Sequence, residues 1–344
     1  MSADGGVRVR LPGLSSRAYE HPADRSALVA LRRLSGFDLV LRRLSGLLRE
    51  RRHRLLYLAA SVRVDSRQFA GVDRILGQAV DTLDLDRRPE LFVVQEPRPL
   101  AVTLGMDEPF VVVSTAMLDL LDDDELRFVL GHEMGHVASG HAVYQTMLLH
   151  LVRLSRNLGW LPVGYWGLRA LIAALMEWAR KAELSGDRAG LLAGQDPDVA
   201  LRVHMKLAGG ARLADMDPAA FLEQAADYDA SGDLRDGVLK LLNLEGQTHP
   251  FAVLRAAELQ RWAGSGEYAA ILAGDYPRRA DDPTVSVTDE VRAAARSYKE
   301  SFDLSADPLV SVLRDLGGGV LGGVGGARDR VASWLRQHPG EDSR

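Results

Sequence analysis

Cysteine is absent from the chain, which excludes disulfides and thiolate metal sites and leaves His, Asp and Glu as the available metal ligands. Positive charge is not in excess: 42 Lys and Arg stand against 47 Asp and Glu, so nucleic acid is not expected as a partner. The N-terminal segment carries arginines but no apolar run of signal-peptide length. Secretion by that route is not expected, and a cytoplasmic location is, with membrane association as its alternative. No solenoid period recurs. The most hydrophobic stretch, 158–179 (LGWLPVGYWGLRALIAALMEWA), is interrupted by Pro162, three glycines and Arg169. Those interruptions favour a buried hairpin, or a surface element touching membrane or substrate, over a spanning helix.

With 344 residues, 47% of them hydrophobic, the chain can bury one substantial core or two modest ones. Residues 1–20 lack a clear period and read as a mobile leader or an arm laid over another element. A basic helical region follows over 21–88. In it Leu28, Leu31, Leu34, Leu41, Leu44 and Leu48 recur at roughly helical spacing, as two helices or one broken at Gly36. Between Arg25 and Arg54, nine arginines face two acids. Such a segment can rest on an anionic membrane surface, as can 158–179, although a solvated basic face accounts for the same pattern. Residues 91–95, 100–104 and 110–114 read as three short strands between turns. Asp122 and Glu125 have capping-box spacing for a helix expected to run through residue 150. Residues 181–275 look helical. The last region, 276–344, is a helical extension with a Gly-rich linker at 317–326. The fold class expected is mainly α with a small three-stranded sheet, α+β.

The helix starting near Asp122 carries HEMGH at 132–136. Residues four apart on a helix differ by about 40° in direction, so His132 and His136 project from one face and can grip one ion. Neutral imidazole suits zinc, and Glu133 is placed to take a proton from a water attacking a carbonyl. A third protein ligand is needed. His141 lies five residues past His136, about 140° round a continuous helix, and reads as a neighbour of the ligands or as solvent-facing. The stronger candidate is in RKAELSGDRAG at 180–190, where Glu183 and Asp187 share one helical face. Glu183 would ligate, and Asp187 would accept the second ring N–H of a ligand histidine. Glu177 lacks such a partner, since position 181 is Lys. Each motif alone also occurs as plain helix surface.

With these residues the chain resembles the metallopeptidase family that includes HtpX and the CAAX prenyl endopeptidases of the Ste type. The likeness rests on FVVVSTAMLDLLDDDELRFVLGHEMGHVASGH (110–141), ELSGDRAG (183–190), THPFAVLRAAEL (248–259) and LAVTLG (100–105), and spans about 90–262. It implies a gluzincin metallopeptidase core built on the HExxH helix over 89–275, with a small sheet whose edge strand holds an extended substrate. It further implies one zinc ion on His132, His136 and Glu183, Glu133 as catalytic base, His249 as the group stabilising the oxyanion, and Arg255 holding its segment in place. The chain departs from the family at Leu100-Ala101, where Asn-Ala is frequent. It also lacks clear transmembrane helices, so prenylated substrates are not implied.

The function expected is a zinc-dependent endopeptidase acting on polypeptides, with protein quality control as one setting. The alternatives are a catalytically silent zinc-binding interaction protein at a membrane, and a peptidase held latent by the C-terminal extension. His53, His150 and His204 have no matching context and are assigned no role.

Overall fold

The computed structural model describes residues 8–32, 50–105, 108–157, 165–230 and 251–284. In chain order, α1 is Pro22–Arg32, α2 Glu50–Ala60, β1 Val62–Arg63 and α3 Ala70–Leu83. Three strands follow, β2 Glu90–Val94, β3 Ala101–Leu104 and β4 Phe110–Ser114, and then α4 Thr115–Leu120 and α5 Asp123–Ala138. Next come α6 His141–Asn157, α7 Tyr165–Gly194, α8 Pro197–Gly209, α9 Pro218–Ala230, α10 Ala252–Gly264 and α11 Glu267–Leu272. The expected class holds: the fold is mostly helical with one small sheet.

The sheet has four strands rather than three, in the order β1-β2-β4-β3. The addition is β1, two residues paired antiparallel with β2, too short to show an alternating pattern. β2 and β4 pair in parallel, Leu91 opposite Val111. Strands buried on both faces need a near-continuous apolar run, which LFVV and FVVV supply. Among the described residues β3 pairs antiparallel with β4 alone, Ala101 opposite Val113, and so forms an edge.

Alternation along the strands divides the core. Leu91, Val93, Val111 and Val113 face the main cluster with Ile75, Leu76, Leu130, Met134 and Leu192. Phe92, Phe110 and Val112 face the other way, with Tyr57 and Leu149 against them. A further cluster surrounds Trp178, where α6 and α7 meet Ala27 of α1.

At the start of α5, Asp122 accepts from the backbone of Glu125 and the Glu125 carboxylate accepts from the backbone of Asp122, the expected capping box. The helix does not continue to residue 150. It stops at Ala138, Gly140 takes a left-handed φ of 68°, and α6 starts afresh at His141. Along α5 and α7, glycines let the backbones touch. A Cβ on Gly131 or Gly135 would overlap the Cβ of Ala193 or Ala189, and one on Gly190 would lie 2.7 Å from the Phe128 carbonyl oxygen. This close crossing carries the acidic residues of α7 to the histidines of α5.

Residues 8–24 run across the folded body as a strap that ends in the first turn of α1. Leu11, Leu14 and Tyr19 are buried in the main cluster, Leu11 N–H donates to Thr82 O at 2.9 Å, and Leu14 bridges to Arg278. Of the stretch 158–179, residues 158–164 lie outside the described residues, and 165–179 form the first half of α7, with Leu175, Trp178 and Ala179 buried. Residues 33–49 of the basic segment and 285–344 of the extension also lie outside them. Among the described residues no helix is long and apolar enough to cross a membrane.

Candidate active site

The HEMGH turn of α5 and the ELSGD turn of α7 meet at one buried point. His132 Nε2 and His136 Nε2 are 3.0 Å apart, His136 Nε2 is 3.4 Å from Glu183 Oε1, and His132 Nε2 is 3.6 Å from Glu183 Oε2. Donors held tetrahedrally at about 2.0–2.1 Å from one ion stand about 3.3–3.4 Å from each other. The three side chains therefore fit a single metal ion; among the described residues, this is the group whose ligand atoms converge closely enough to hold one.

Each histidine has its other nitrogen engaged. His132 Nδ1 lies 3.0 Å from Asp187 Oδ1, so it donates there and leaves Nε2 free to ligate. Asp187 is gripped by Arg255, whose Nε donates to Oδ2 at 2.7 Å and Nη2 to Oδ1 at 2.5 Å. Burial alone would raise the Asp187 carboxyl, but Arg255, His204 and His132 together outweigh it and hold the group well below the usual carboxylate range. Arg255 Nη1 also reaches Glu183 Oε2 at 3.1 Å, so it touches the site rather than only steadying its own segment. Burial pulls the His136 imidazole down to about 4, against the opposing pull of Glu183. A neutral ring is the form that ligates.

Glu133 points toward β3. Thr103 Oγ1 donates to Glu133 Oε2 at 2.6 Å. Burial pushes the Glu133 carboxyl up to about 7, with His132 and the Thr103 bond partly offsetting it. A cavity of about 700 Å³ lies over these groups, with Leu100 and Ala101 at the β3 edge and Val129, Val203, Leu207 and Phe251 among its apolar lining. An enclosed acceptor near neutral pKa beside a metal cradle can move protons for hydrolysis.

A sequence model of peptidase family M48 matches residues 66–263. The chain belongs to that family. The family assignment agrees with the resemblance read from the motifs, and it makes a metal at the His132, His136 and Glu183 cradle the natural occupant. Among similar proteins, the plastoglobule-localized metallopeptidase 48 of Arabidopsis thaliana chloroplasts is 36% identical over 287 residues, covering 78% of this chain and 82% of that one. An HtpX protease homologue of Tropheryma whipplei (strain Twist) is 30% identical over 150 residues. That match covers 36% of this M48 chain and 52% of the homologue, so the chain spans about half the length of that relative. An HtpX protease homologue of Bordetella pertussis is 36% identical over 86 residues, 25% of this chain and 29% of that one. No solved structure matches the chain.

Set against the motif reading, the M48 fold brings His132, Glu133, His136, Glu183, Asp187 and Arg255 together in one buried cluster. His249 lies outside the described residues. His141 is buried rather than solvent-facing, because the break at Gly140 turns it back onto His136, Nδ1 to Nδ1 at 3.0 Å. His204, assigned no role, is buried 3.7 Å from Asp187 Oδ2 and is pulled down to about 4 by burial. Two features escaped the motif reading. Thr103 has no local signal, since its role depends on which strand faces α5. The glycines at 131 and 135, and at 186, 190 and 194, do have one: spacing by four marks a stripe where another backbone can approach.

Proposed function

We propose that this chain is a zinc-dependent endopeptidase, with His132, His136 and Glu183 holding one zinc ion and Glu133 as the general base. The observation that carries this reading is the pairing of a three-ligand cradle with a buried carboxylate from the same helix turn, both opening into one cleft beside an edge strand. When bound, zinc supplies a Lewis acid that acidifies water and polarises the carbonyl under attack.

The other steps fall to the chain itself. Glu133, one residue from the first ligand, takes a proton from the attacking water and returns it to the leaving amine. The Thr103 hydroxyl holds the Glu133 carboxylate in place for both transfers. Asp187, with Arg255 behind it, fixes the His132 tautomer so that Nε2 faces the ion. Arg255 also balances the charge of Glu183. A polypeptide substrate lies extended along β3, whose outer edge has no strand partner among the described residues, and apolar side chains fit against Val203, Leu207 and Phe251. His249, by its place in THPFAVLR, is the proposed donor to the oxyanion.

The deciding experiment compares wild type with Glu133→Gln, both loaded with one equivalent of zinc, on casein and a peptide library. Cleavage inside peptides by wild type alone is the expected result. Equal inactivity of both proteins at saturating zinc would instead make the chain a metal-binding module without turnover.

A further inference from the structure

We propose that Asp24, on the N-terminal strap, is a positioning residue for the metal ligand His136 and acts through His141. The inference rests on the metal-site reading above. His136 Nδ1 lies 3.0 Å from His141 Nδ1, and His141 Nε2 lies 3.2 Å from Asp24 Oδ2. All three side chains are buried.

With His136 ligating through Nε2, the protons in this chain of bonds fall in one order. A neutral His136 that offers Nε2 to an ion carries its proton on Nδ1 and must donate it. His141 Nδ1 is then the acceptor, so the His141 proton sits on Nε2 and is donated to Asp24. Asp24 closes the series as a pure acceptor. Its carboxylate is held in turn by Trp178 Nε1, donating to Oδ1 at 2.9 Å, and by Ser185 Oγ, donating to Oδ2 at 2.5 Å. Both donors belong to α7, the helix that carries Glu183. Burial would raise the Asp24 carboxyl, but His141 and Ser185 bring it below its ordinary value.

The two ligand histidines are thus served differently. His132 reaches a buried carboxylate directly, whereas His136 reaches one through a second imidazole. The direct partner, Asp187, lies inside the region that matches the family, and Asp24 lies before residue 66, where that region starts. The strap therefore supports one of the two ligand histidines. It is also anchored beside the site at other points: Tyr19 Oη donates to Gly135 O at 3.3 Å, and His21 N–H donates to Ser185 Oγ at 2.9 Å.

The test measures zinc affinity of the full chain by competition with a chromophoric chelator, and the visible spectrum of the cobalt-substituted protein. Asp24→Asn keeps the size and loses the carboxylate. It should weaken zinc binding about 10–100-fold, the usual cost of losing such a partner, and shift the cobalt bands. Tyr19→Phe loosens the same strap without touching the series. It should lower the melting temperature and leave both metal readouts at the wild-type value. Asp24→Asn binding zinc within about twofold of wild type overturns the proposal, and so does equal weakening by Tyr19→Phe. A wild type that takes up no zinc removes the metal reading as well, so the two failures are distinguishable. If Asp24→Asn does not fold, nitrogen NMR of ring-labelled histidines in zinc-loaded wild type decides: a proton on His141 Nε2 is expected, and one on Nδ1 overturns the proposal.

Discussion

Gly186 of α7 lies directly beneath the imidazole of His132. A Cβ built on Gly186 would stand 2.6 Å from His132 Cε1 and 2.7 Å from Nδ1. The ring that offers Nε2 to the metal therefore rests on a position where any side chain would displace it.

Gly186→Ala is expected to cost about 1–3 kcal/mol, the range for overpacking a filled interior, and to lower zinc uptake because the His132 ring must move. Gly264→Ala, whose Cβ would meet nothing within 4 Å, is the matched control. Urea denaturation and zinc stoichiometry check both; unchanged zinc uptake in Gly186→Ala would count against the ring contact.

Arg255 faces two buried carboxylates, Asp187 and Glu183. Removing one partner of such a cluster leaves a buried charge uncompensated, at a cost of roughly 3–5 kcal/mol. Arg255→Ala should lose about that much in denaturant titrations. Arg255→Lys should recover only part of it, since an ammonium cannot span both Asp187 oxygens as the guanidinium fork does. Full recovery by Lys would show that the fork geometry is immaterial.

Thr103→Val removes the hydroxyl that donates to Glu133 Oε2 and keeps the side-chain shape. A hydrogen bond to a charged group contributes about 1.5–3 kcal/mol. The kcat should therefore fall roughly 10–100-fold with zinc content near wild type, and the melting temperature should drop with the loss of a buried hydrogen bond. A change confined to KM would assign Thr103 to substrate contact instead.

The strap is tied to α10 through His21 Nε2 and Glu258 Oε1, 3.0 Å apart. That hydrogen bond, with help from Arg261, holds the Glu258 carboxyl below its ordinary value. A lowered carboxyl pKa contributes stability that is fully present above the unfolded value, about 4.3, and is lost as pH falls through the folded value. The melting-temperature gap between wild type and Glu258→Gln should be open near pH 6 and close below about pH 4. A gap that widens in acid would contradict the latch.

Much of the site was legible because its signals are local. His132 and His136 are four residues apart, as are Glu183 and Asp187, and helical geometry alone puts each pair on one face. The strand positions were legible from short apolar runs bounded by Pro-rich or Gly and Asp turns. Of the two readings of His141, the neighbour of the ligands holds and the solvent-facing one does not. Placing it about 140° from His136 presumed an unbroken helix, and the left-handed turn at Gly140 returned it to its neighbour. Asp24 could not be read at all, because an isolated Asp carries no period and its partners lie at 141, 178 and 185.

By itself the sequence determined the kinds of ligand available, the helical turns that present them and the buried strands beside them. Each of these depends on residue type and on spacing within a few positions. Only the tertiary structure decided what stands behind the ligands: Asp187 with Arg255 for His132, and His141 with Asp24 for His136. These are contacts between distant segments, set by a glycine-lined helix crossing and a packed N-terminal strap, and no local pattern encodes them.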